Sequence, residues 1–126
     1  MNRSNSEKAD LLGIVASMTC AVHCSVLPLA ITYGILSSGI MESHGIIEVL
    51  FCGLSLLIAS YTLWGSYKGR HGNPIPLISF VFGLGCIIIG LGFHGNLEIV
   101  FATLGGLTIA SAHLHNILIN RAEYKT

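Results

Sequence analysis

All six Lys and Arg residues of this chain fall in three short stretches (Arg3 and Lys8, Lys68 and Arg70, Arg121 and Lys125), and long apolar segments run between them. That division is the signature of a polytopic membrane protein. Segments 11–36, 46–67, 75–93 and 97–119 each come near or above the ~20 apolar residues needed to span a hydrocarbon core. The expectation is therefore an all-α bundle of four transmembrane helices forming a single domain over residues 1–126. An even number of spans puts both tails and the Lys68–Arg70 loop on one side, and the positive-inside rule makes that side the cytoplasm of an inner-membrane protein. The loops at 37–43 and 92–96 carry no Lys or Arg and face outward.

Composition excludes several classes of function. With 52% hydrophobic and 10% charged residues in 126, the tails and loops are too short for a second, soluble core. A formal net charge of zero and no basic array leave nucleic-acid binding without a footing. The first apolar run is too long for a signal peptide and lacks a small-residue cleavage pattern, so it reads as the first helix. The lipid bilayer is the expected surrounding.

Residues 44–51 read HGIIEVLF and residues 94–101 read HGNLEIVF, pairing His44 with His94, Gly45 with Gly95, Glu48 with Glu98 and Phe51 with Phe101. Both copies open an even-numbered helix, as expected of a duplicated helical hairpin. Two repeats of two spans keep their orientation, so an approximate two-fold axis along the membrane normal would relate them. The likeness is clear only in the even helices. In each copy His and Glu stand four residues apart, one turn along the same helical face. His44, Glu48, His94 and Glu98 could then form an outer metal site of the kind that helical bundles build from inward-facing Glu and His. The same residues also suit a plainer role, the acids in helix first turns and the imidazoles at the wet interface.

Helix 1 carries Cys20, His23 and Cys24, with the thiols one turn apart, and thiolates select soft metals. The cluster lies ~15–21 Å from Asp10 by helical rise, near mid-membrane. Pro28 cannot donate to the Cys24 carbonyl, which predicts a kink beside the cluster. A disulfide between Cys20 and Cys24 is not expected on an intact helix, whose successive turns hold Cβ atoms ~5–6 Å apart against the ~3.5–4.5 Å a disulfide wants. Two packed thiols and one buried imidazole are the plain alternative. Cys52 and Cys86 read as packing residues. His113 and His115 point roughly opposite ways near the inner end of helix 4, and His113, with Asn116 and Asn120 nearby, is the one assigned to the interior, as a metal ligand toward the exit; an interfacial imidazole bonded to a carbonyl is the plain alternative. His71, in the basic loop, reads as solvated. The small residues Ala102, Gly106 and Ala110, and the glycines of helix 3, predict a tight bundle or a homodimer seam.

With these residues in view, the chain resembles the MerC family of small inner-membrane mercuric-ion proteins. The likeness rests on the thiol and His cluster followed by proline in helix 1, the short basic loop after helix 2, and the ending Ala112, His113, Leu114, Asn116 and Arg121. The resemblance implies four helices and inward transport of Hg²⁺, with Cys20 and Cys24 as the thiol pair. Two features depart from it: His23 lies among the thiols, and no cysteine follows Cys86. The His and Glu pairs suit Zn²⁺, Fe²⁺ or Cu²⁺ better than Hg²⁺. The reading is a membrane metal-ion transporter with no catalytic arrangement. Its rivals are a haem-binding or redox subunit, since facing histidines can serve as axial ligands, and a metal sensor or structural protein without flux.

The topology is directly measurable. A single cysteine placed in segment 37–43 should react with a membrane-impermeant thiol reagent added outside cells, whereas reaction only from the cytoplasmic side would reverse the assigned orientation.

Overall fold

The computed structural model describes residues 3–34, 41–93 and 95–123, apart from some side chains within the helices. They form α1 (Arg3–Thr32), α2 (Met41–Ser66), a π-helical turn (Tyr67–His71), α3 (Ile75–Gly90) and α4 (Asn96–Glu123), with no strand among the described residues. The all-α, four-helix expectation holds. The helices overrun the apolar segments at several ends, because backbone hydrogen bonding continues into polar residues after hydropathy has fallen. Thus α1 begins at Arg3, well before Leu11, and α4 continues to Glu123. It is the reverse in α3, which ends at Gly90, with residues 91–93 forming a bonded turn. α1 runs on through Pro28 to Thr32.

Among the described residues, Asn5–Val26 and Asn96–Glu123 are long and apolar enough to cross a membrane, and Ile75–Gly90 is apolar but shorter. The distribution of side chains argues the same environment. Much of the interior is small and polar, including Ala16, Ser17, Cys20, Ala21, Ala102, Ala110 and Ala112, beside one cluster of larger apolar residues, Leu63, Phe80, Ile87 and Ile109. Many other large aliphatic side chains point out, with Leu12 62% exposed, Ile78 62% and Leu57 70%. So much outward apolar surface exceeds what a soluble monomer tolerates and matches helices that pack through small residues in lipid.

Two adjacent glycines let α4 lie close between α1 and α3. A Cβ at Gly105 would come 2.6 Å from the Gly83 carbonyl oxygen and 2.5 Å from Ile87 Cγ1, so this side of α4 meets the backbone of α3. A Cβ at Gly106 would come 2.8 Å from Ala21 Cβ and 3.1 Å from the Ser17 carbonyl oxygen, on the α1 side. The stripe Ala102, Gly106 and Ala110 is buried, as a tight bundle requires. α4 packs along both α1 and α3, and α2 packs against α1 and joins the other two helices through Ala59 and Leu63, which cluster with Phe80 and Ile87 of α3 and with Ile109 and Ala112 of α4.

Both described ends of the chain and the π-helical turn meet at one end of the bundle, where Arg121 reaches Glu7 at 3.3 Å. Gly72 follows the turn at φ 60°, a left-handed conformation that glycine adopts without strain.

The glycine seam makes a prediction. Gly105→Ala should destabilise the protein by about 1–3 kcal/mol through overpacking, read as a lower unfolding midpoint in detergent. Gly85→Ala, where a Cβ meets nothing within 4 Å, should leave the midpoint unchanged or raise it.

Candidate functional site

α1 presents one continuous inward stripe. Ser6, Asp10, Gly13, Ser17, Cys20 and Cys24 alternate spacings of four and three residues, the repeat that keeps one helical face against a partner. All six are buried, with Ser6 and Asp10 at 0% exposure. α4 answers with Ala102, Gly106, Ala110, His113, Asn116 and Asn120, all buried and running antiparallel to it.

Away from the chain ends the seam holds the thiols. Cys20 and Cys24 are each 4% exposed and pack with Ala102. Their Sγ atoms stand 3.7 Å apart, and no described cysteine is in a disulfide. A tetrahedral ion with ~2.3 Å bonds to sulfur holds two sulfurs ~3.8 Å apart, so this pair can grip one ion without moving the helix. His23 lies on a neighbouring face, half-buried, beside Met18, Thr19, Val22 and Val26. Ser17 Oγ donates to the Gly13 carbonyl at 2.7 Å, which satisfies that hydroxyl within its own helix.

At the end nearer both described chain ends the seam holds a buried polar network whose hydrogen positions follow from one backbone donor. Asn73 N–H donates to His71 Nδ1 at 2.9 Å, so His71 carries its hydrogen on Nε2 and donates to Asn116 Oδ1 at 3.0 Å. That fixes the Asn116 amide, which a hydrogen-bond network alone can orient. Asn116 Nδ2 then donates to Asp10 Oδ2 at 2.8 Å and to Ser66 Oγ at 3.2 Å. Asn120 Nδ2 donates to the same Ser66 Oγ at 3.1 Å. Asp10 Oδ1 accepts from His113 Nδ1 at 2.9 Å, so both carboxylate oxygens act as acceptors. His113 is 0% exposed, and the edge of its ring relation to Phe80 is T-shaped, with centroids 6.4 Å apart.

The expected site residues are thus distributed unevenly. Cys20 and Cys24 come together, and His113 lies inside the bundle. Glu98 lies in the first turn of α4, half-exposed. The side chains of His44 and Glu48, and the whole of His94, lie outside the described residues, as does the side chain of Cys52. No group of three or more His, Cys, Asp or Glu placed to hold a metal occurs among the described residues. His71 is corrected from a solvated loop residue to a member of the network, because the π-helical turn folds it back onto α4. Sequence reasoning also missed Asp10, which it treated as the helix edge, and Ser66. The alternating stripe through Asp10, and the spacing of His113, Asn116 and Asn120, were the signals for the network.

Residues 10–118 match the family described as MerC mercury resistance protein. No curated protein and no solved structure matches the chain.

The network predicts an asymmetry between buried and exposed polar pairs. Asn116→Leu leaves the Asp10, Ser66 and His71 side chains each short of a partner and should cost about 1–3 kcal/mol. Arg121→Ala breaks only the exposed pair with Glu7 and should stay within ~0.5 kcal/mol. Detergent unfolding midpoints of the two variants check this.

Proposed function

We propose, on the premise that the chain belongs to the MerC mercury resistance family, that it carries a soft metal ion inward across the inner membrane, with Hg²⁺ as the first candidate. The chain is a membrane protein of metal handling at the level of its family and its apolar exterior. The finer reading is supported above all by the Cys20–Cys24 pair, two thiols 3.7 Å apart on the buried α1–α4 seam. Buried thiols in an apolar cluster are a place where a soft ion can shed its water and be held by sulfur. The antiparallel seam continues from them toward the end where both described chain ends meet. Four membrane crossings with that end in the cytoplasm make the seam a route from mid-membrane inward.

In this reading His44, Glu48, His94 and Glu98 collect the ion at the outer end, and His23 assists beside the thiols. These nitrogen and oxygen donors suit Zn²⁺, Fe²⁺ or Cu²⁺ as alternative cargo.

Uptake separates the cargoes. With Hg²⁺, Cys20→Ser or Cys24→Ser should abolish accumulation by expressing cells, because a lone thiolate cannot supply two-sulfur coordination. With a borderline ion, the Ser variants should retain partial uptake and His23→Ala should reduce it more. Accumulation unchanged in all three variants, for every ion tried at matched expression, would sink the transport reading.

A further inference from the structure

The hydrogen bonds of the inner network leave one buried atom over. His113 Nδ1 is committed to Asp10, and His113 Nε2 is buried with no hydrogen-bond partner among the described residues. Such an atom is costly in an interior and calls for a partner. Its direction follows from Gly13. A Cβ built there would lie 2.6, 2.7 and 2.8 Å from Nε2, Cε1 and Cδ2 of His113. A point so evenly spaced from three consecutive ring atoms lies over the face of the imidazole, since a point on the Nε2 lone-pair axis would be distinctly farther from the two carbons. Gly13 therefore packs on the ring face. The Nε2 lone pair lies in the ring plane, directed away from Asp10 and off the face that Gly13 covers.

We infer that His113 Nε2 is an inner ion-binding position for a soft or borderline transition-metal cation, with Asp10 as the carboxylate that fixes and strengthens it. A histidine that gives one ring nitrogen to a carboxylate presents the other as an oriented, more basic metal ligand. Coordination uses the Nε2 lone pair and leaves the Nδ1 hydrogen on the Asp10 bond. The inference rests on the transport reading for the source of the ion. His113 lies level with Gly13, seven residues from Cys20 and so ~10 Å along the seam. An imidazole holds a soft ion less firmly than a thiolate pair does, which suits a position from which the ion is released. Asp10 and Gly13 are positioning residues here: one sets the tautomer, the other gives the ring its space.

The test uses the full chain in lipid nanodiscs, without a histidine tag, labelled with ¹⁵N-histidine and titrated with Hg²⁺. In a variant with Cys20, Cys24, Cys52 and Cys86 all changed to Ser, the His113 Nε2 resonance should move before that of His115, which lies on the same helix but off the network. Adding Asp10→Asn should weaken that binding about 10–100-fold, and Gly13→Ala should weaken it by displacing the ring while keeping every ligand. His113→Gln assigns the resonance, and if that variant does not fold, the shift caused by Gly13→Ala assigns it instead. An Nε2 resonance that Hg²⁺ leaves unmoved, or moves no earlier than His115, overturns the inference. The thiol reading is judged apart, by whether one equivalent of Hg²⁺ protects Cys20 and Cys24 of the wild-type chain from alkylation.

Discussion

The buried carboxylate of Asp10 is the constraint that orders the half of this molecule nearer the chain ends. Fully removed from solvent, it would be a heavy penalty in a membrane bundle unless both oxygens found donors. α4 supplies them from His113 and Asn116, one turn of helix apart. Those two residues can reach only if α1 and α4 run close together, and Gly13 and Gly106 make that approach possible by offering no side chain where the helices touch. Asn116 then ties in Ser66 at the end of α2 and His71 in the turn that follows. One carboxylate thus brings three helices and a turn into register at the end of the bundle where both described chain ends lie.

The other half of the same seam is held differently. Cys20, Cys24 and Ala102 pack together there, so α1 and α4 meet through small, weakly polar groups. A soft ion admitted at the thiols would be held first by that pair. Passing inward, it would meet the network, where an imidazole already oriented by a carboxylate is the next donor.

Most of the architecture was legible in the sequence, because hydropathy and the clustering of basic residues report directly on helices in lipid. The helix ends were less so, since Arg3 to Asp10 and Ile119 to Glu123 are helical without being apolar. The repeat in residues 44–51 and 94–101 suggested that α2 and α4 are equivalent, and most side chains of the first copy lie outside the described residues. α4 owns the glycines that permit close approach on two sides. Of the inner site, His113 and its two neighbouring asparagines could be read from their spacing. Asp10 could not be read as their partner, because it stands more than 100 residues away in the chain and sits where an ordinary helix boundary would also place an acid. His71 was hidden for another reason: a π-helical turn, and not a loop, carries it back over α4.

The account turns on whether two sulfurs on α1 hold the ion. X-ray absorption of the wild-type chain loaded with one equivalent of Hg²⁺ measures this without reference to transport. The account predicts a first shell containing two sulfur ligands, reduced when Cys20 or Cys24 is replaced by Ser, with alkylation of the remaining thiols leaving it intact. A first shell of nitrogen and oxygen alone, or a sulfur shell that persists unchanged in both Ser variants, would contradict it.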